Sequence, residues 1–140
     1  MIKLNLFTTA SLDTPTHKDI VGLFASKNSR EASIAKIVIL TESREKDFAE
    51  QLQQKLPKLN IHHRERRPSF REMMGTVYSH GDPSDINIIC NSDIWFDISN
   101  SHIETVNLIL ESDNRIVITV TRRDDLNPAR LLSVNDLTPE

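Results

Sequence analysis

The chain has 140 residues, of which 38% are hydrophobic and 26% charged, a composition that suits one soluble domain with a modest core. Its formal charge of −3 gives no global basic field for nucleic acid, and no apolar run approaches the roughly 20 residues that span a bilayer. Cys90 is the only cysteine, which excludes an internal disulfide, and the N-terminus lacks the apolar core of a signal peptide, so a reducing cytoplasm is the expected compartment.

Residues 3–9 read as a first strand, with Leu4 and Leu6 facing one side and Asn5 and Phe7 the other. Thr14-Pro15 then supplies a capping hydroxyl followed by proline at the first helical position, and Ile20, Leu23 and Phe24 give that helix an apolar stripe. Ile37-Val38-Ile39-Leu40 is a buried strand by composition. Phe48, Leu52 and Leu56 recur on one helical face, and Pro57 stops the helix. A short third strand is expected over residues 59–63. Ser69 with Glu72 forms a capping-box signature, Phe70, Met73, Met74 and Val77 follow at helical spacing, and Gly81 closes that helix. The turn-rich Gly81-Asp82-Pro83-Ser84-Asp85 feeds a strand over residues 86–90. Ile103, Val106, Ile109 and Leu110 mark a further helix, and residues 116–121 a last strand.

This alternation predicts an α/β fold: a mostly parallel, Rossmann-like sheet of about five strands with helices on both faces. The apolar run at 86–90 predicts a central strand. Residues 1–125 are expected to form the domain, and 126–140 a loop or peripheral tail.

In open α/β sheets ligands sit outside the carboxyl ends of the strands. The strand at 86–90 ends in Asn91, Ser92 and Asp93, with Asp97 further on. A carboxylate there suits Mg²⁺ or Mn²⁺, which in turn bind phosphate oxygens; the plain alternative is an Asx turn, and Asp97 serves equally well as a helix N-cap. Arg67 and Arg71 flank the helix start at Ser69, where backbone N–H groups favour anions and a guanidinium can clasp a phosphate. Thr8 and Thr9 follow the first strand and Glu42 the second, so they join the candidates, each weighed against an ordinary strand end. His62 and His63 are adjacent on a strand, point to opposite faces and do not suit one ion. The locally basic stretch 62–71 reads as a solvated face rather than a nucleic-acid patch. Trp95 either stacks on a ligand or packs its loop onto the sheet. Cys90, ending an apolar strand, reads as a buried structural thiol. With three glycines in the chain, no dinucleotide or phosphate-loop signature is present.

Four segments occur in order: Leu6-Phe7-Thr8-Thr9; Arg67-Pro68-Ser69-Phe70-Arg71-Glu72; Ile88-Ile89-Cys90-Asn91-Ser92-Asp93-Ile94-Trp95-Phe96-Asp97; and Ile118-Thr119-Val120-Thr121-Arg122. Together they resemble a bacterial glycosyltransferase-like family of the A-type (nucleotide-diphospho-sugar transferase) fold, over about residues 3–123. The resemblance implies a nucleotide-sugar ligand, an acceptor it does not identify, and Mg or Mn held by Asp93, with Asp97 a weaker metal candidate. It makes Asn91 a contact to ribose or metal, and brings the base and ribose near Thr8 and Thr9. Relatives continue past the Thr-Arg strand into a segment that carries most of the acceptor site, and residues 126–140 show none of its motifs. The resemblance therefore covers the nucleotide-binding half and assigns no catalytic residue. The expectation is a fragment, a chain that works with a partner chain or as a homo-oligomer, or a non-catalytic nucleotide- or protein-binding module.

Overall fold

The computed structural model describes residues 2–94, 96, 100–112, 118–120 and 137–139. They fall into two compact units, Lys3–Phe96 and Asp97–Glu140. The larger unit runs β1 (Leu4–Thr9), α1 (Pro15–Ser29), β2 (Ile34–Thr41), α2 (Asp47–Lys55), β3 (Leu59–His63), α3 (Phe70–His80) and β4 (Ile86–Ile89).

The helix starts follow the local chemistry. The Thr14 hydroxyl accepts the His17 N–H at 3.1 Å ahead of Pro15, and the Ser69 hydroxyl accepts the Glu72 N–H at 3.1 Å. At α2 the cap comes from a preceding side chain instead: Glu45 Oε1 accepts the N–H groups of Asp47 and Phe48 at 3.1 and 3.3 Å.

The strands form one parallel sheet in the order β3-β2-β1-β4. The chain steps outward from β1 to β2 and β3, then returns through α3 to β4 on the other side of β1. Right-handed crossovers therefore put α1 and α2 on one face and α3 on the other. On the α3 face, Phe7, Val38, Leu40 and Met73 form one buried cluster, with Val77 packed against it. Leu6, Ile37 and Ile39 alternate to the opposite face, where α1 buries Val21, Phe24 and Ala25. Each of the larger of these side chains, Ala25 excepted, contributes about 1.5–3 kcal/mol of burial.

The centre of the sheet differs from the sequence expectation. β1 and β2 are its interior strands, whereas β4 borders the described sheet and leaves Ile89 37% exposed. A short apolar run has the same composition whether one or two neighbours flank it. β1 is the more deeply buried strand although it carries polar residues, because those residues find partners. The buried Asn5 donates through Nδ2 to Asn87 Oδ1 at 3.0 Å and to Asp85 Oδ2 at 3.3 Å. Asp85 Oδ1 also accepts the Lys3 N–H at 3.0 Å, which pins the start of β4 beside β1.

The smaller unit holds α4 (Asn100–Ser112), in which Ile103 is buried, and two short strands, β5 (Ile118–Val120) and β6 (Leu137–Pro139). The strand expected over 116–121 thus pairs antiparallel with β6, inside a segment read as loop or tail. Three residues ending in proline are too few to carry a strand periodicity. No helix among the described residues is long and apolar enough to cross a membrane.

Candidate functional site

Strand order reverses at β1, and a crevice outside the carboxyl ends at such a reversal is where open α/β sheets take ligands. A cleft of about 360 Å³ lies there. Its floor is the end of β1 (Thr8, Thr9 and then Ser11) beside the end of β4 (Cys90, Asn91, Ser92 and Asp93). The first turns of α1 form one wall through His17, Ile20 and Val21, and Arg67 enters from the segment before α3.

Backbone bonds carry the sheet up to this floor: Ala10 N–H donates to Leu40 O at 3.1 Å, and Cys90 N–H to Phe7 O at 3.0 Å. The loop after β1 is tied to the loop after β2. The Ser43 hydroxyl donates to Asp13 Oδ1 at 2.6 Å, and the Asp13 N–H donates to the Ser11 hydroxyl at 3.3 Å. His63 Nδ1 lies 2.9 Å from Ser43 O, while the His62 ring packs edge-on against His80 with centroids 5.0 Å apart. The adjacent histidines thus turn to separate partners.

Of the candidates read from sequence, the cleft brings together Thr8, Thr9, Arg67, Asn91 and Asp93. Glu42 and Arg71 are exposed and do not line it. Asp97 lies outside the described residues. Ser11 and Ser92 lie on the loops expected to carry the site but were not singled out, and sequence reasoning missed His17, Ile20 and Val21. The signal for the α1 residues was available: a helix that starts just after a strand turns its first residues toward that strand's carboxyl end, and His17, Ile20 and Val21 share a face at i, i+3 and i+4.

The charged side chains lining the cleft are Arg67 and Asp93, and His17 lies on its α1 wall. Burial pushes the Cys90 thiol up to about 12, so it stays protonated at neutral pH and is no thiolate nucleophile. No group of three His, Cys, Asp or Glu side chains among the described residues is arranged to hold a metal ion. Among the lining residues, the Asp93 carboxylate, the Asn91 amide oxygen and the Ser92 hydroxyl follow one another in sequence, and all are hard oxygens. Mg²⁺ is commonly held by one or two carboxylates plus the phosphates of a substrate. These residues therefore fit a cation that shares its coordination with a phosphate ligand, rather than a prebuilt protein cage.

The sequence matches no family profile and no curated protein. Solved structures do share the fold. A cytidylyltransferase from Leptospira borgpetersenii serovar Hardjo-bovis (strain JB197) superposes with a TM-score of 0.59 at 16% identity, covering 86% of this chain and 54% of its own. A 4-diphosphocytidyl-2C-methyl-D-erythritol synthase from Anaerococcus prevotii DSM 20548 gives 0.58 at 16% identity, covering 89% of this chain and 57% of its own. The chain has an α/β fold similar to those of cytidylyltransferases and spans a little over half their length.

Proposed function

We propose that this chain is a glycosyltransferase-like domain whose cleft binds a nucleoside-diphosphate sugar through a divalent metal. One observation carries the reading: five residues picked out for nucleotide chemistry, distant in sequence, meet at the carboxyl ends of β1 and β4 where the strand order reverses. In this reading Asp93 holds Mg²⁺ or Mn²⁺ jointly with the diphosphate, and Asn91 contacts the metal or the ribose. Arg67 pairs with phosphate oxygens, which suits a planar guanidinium. Thr8 and Thr9 border the base and ribose. The bound cation would neutralise the charge that develops on a departing diphosphate. The chain's own residues orient the ligand. Nucleotide binding without transfer, as in a non-catalytic module, is the second outcome the domain allows.

Calorimetry tests the reading with uridine, guanosine, thymidine and cytidine diphosphates, each with and without Mn²⁺. Cytidine triphosphate joins the panel because the structural neighbours are named for cytidylyl chemistry. Metal-dependent binding that is lost in Asp93→Ala is the expected result. Binding that ignores both the metal and that substitution removes Asp93 from the site, and no binding to any of the nucleotides overturns the proposal.

A further inference from the structure

The turn that carries Asp93 is held at both ends. Where it begins, the Cys90 N–H is bonded to Phe7 O at 3.0 Å, so β1 fixes its entry. Where it ends, the partner is a side chain on α1. Asn28 Nδ2 donates to Ile94 O at 3.1 Å, and Asn28 Oδ1 accepts the Phe96 N–H at 2.9 Å. One amide thereby serves two backbone groups on alternate residues, the pattern a neighbouring strand would supply. The partners also fix its orientation, since a carbonyl only accepts and a backbone N–H only donates.

Asn28 is 0% exposed, an unusual place for an amide unless it has a specific task. It belongs to the buried stripe Val21, Phe24, Ala25 and Asn28 of α1, and Val21 in that stripe lines the cleft. A single helix face therefore builds part of the cleft wall and grips the chain just past the acidic turn. The Asn28 carbonyl is engaged as well, accepting the N–H groups of Arg30 and Glu31 at the helix end, so the residue has little freedom to drift.

We infer that Asn28 is a positioning residue of this cleft: its amide clamps Ile94 and Phe96 and so sets where the Asn91-Ser92-Asp93 turn presents its oxygens to the ligand. The inference rests on the nucleotide and metal reading of that cleft. Metal–oxygen distances tolerate only about ±0.2 Å, so a carboxylate on an unclamped turn loses most of its value as a ligand. Removing the amide leaves the Ile94 carbonyl and Phe96 N–H to find new partners, and the turn moves to supply them.

The wild-type chain provides the first test, by nuclear magnetic resonance. A through-hydrogen-bond coupling between the Asn28 side-chain amide and the Ile94 carbonyl is expected, together with a slowly exchanging Phe96 amide. Absence of both overturns the clamp and needs no variant to fold. In Asn28→Ala the Phe96 amide is expected to exchange at least about tenfold faster while those of Val38 and Leu40 remain protected. In the same variant and in Asn28→Asp, which sets a carboxylate against the Ile94 carbonyl, Mn²⁺-dependent nucleotide affinity is expected to fall about tenfold or more. Ile61→Val, in β3 away from the cleft, serves as the stability control and is expected to keep wild-type affinity. Wild-type affinity in folded Asn28→Ala overturns the inference alone. A wild-type chain that binds none of the nucleotides overturns the reading beneath it, and the exchange data still report on the clamp.

Discussion

Cys90 stands where β4 ends and the cleft begins, and its chemistry can be worked out from its surroundings. Desolvation raises its pKa from 9.0 to about 12. Below pH 9 this lowers the thiolate fraction by about three orders of magnitude. A more basic thiolate is also a better nucleophile. With a Brønsted slope of about 0.4–0.5 for thiol–disulfide exchange, the same shift recovers roughly 15- to 30-fold. The net expectation is that Cys90 in the folded chain reacts about 30- to 60-fold more slowly than in the unfolded chain, before any steric hindrance is added.

The assay is labelling with dithiobis(nitrobenzoate), followed by absorbance in native buffer and in concentrated urea at matched pH. The pH profile separates a raised pKa from simple shielding. In urea the rate should level off above the ordinary thiol value of 9.0, whereas in the folded chain it should still climb, about tenfold per pH unit, through that value. A folded-state profile that levels near pH 9, at the rate seen in urea, would rule out a thiol raised by burial and reopen a reactive-thiol role at the cleft.

Two further outcomes test other parts of the fold. At Gly81 an added Cβ would stand 2.5 Å from Val77 O and 2.8 Å from Asn87 Oδ1, so Gly81→Ala must shift the end of α3 or the adjoining strand β4. A loss of about 1–3 kcal/mol is expected by urea unfolding, and wild-type stability would show that the close approach is dispensable. The pKa of His62 lies below its ordinary value of 6.5, through burial first and then through the charges of His80 and Arg64. Between the lowered folded value and 6.5 the unfolded chain binds the proton more readily, so its contribution to stability is intact above 6.5 and declines as pH falls below it. Thermal midpoints should therefore drop more steeply on acidification in the wild type than in His62→Gln, and superimposable profiles would contradict the assignment.

The helices were legible because their signals are local. Thr14 and Ser69 sit directly before the N–H groups they cap, and the apolar spacing of α3 lies within a few turns. The sheet centre was not legible in the same way. The apolar run at 86–90 pointed to β4 as the central strand, yet in β1 the polar Asn5 and Thr8 are both buried, and the Asn5 amide is satisfied by Asp85 and Asn87 far along the chain. Asn28 is a similar case. A polar residue on the stripe Val21-Phe24-Ala25-Asn28 is visible as an anomaly that demands partners, but nothing in α1 says they are Ile94 and Phe96.

The candidate site divides along the same line. Thr8, Glu42 and Asn91 were picked by one rule, a polar residue at or just past the carboxyl end of a strand, yet the cleft includes Thr8 and Asn91 and leaves out Glu42. What separates them is strand order. β2 has β1 on one side and β3 on the other, and the connections from β1 to β2 and from β2 to β3 both cross the same face, so no reversal opens a crevice above it. β1 is different: the chain leaves it toward β2 on one side, while β4, reached through α3 on the opposite face, lies on the other. The crevice opens between β1 and β4 for that reason. Arg67 and Arg71 illustrate the same dependence on long-range order, since both flank one helix start and only the residue before the helix lines the cleft. Local chemistry in the sequence nominates the residues able to bind a phosphate or a cation, and the order in which the strands pair decides which of them meet.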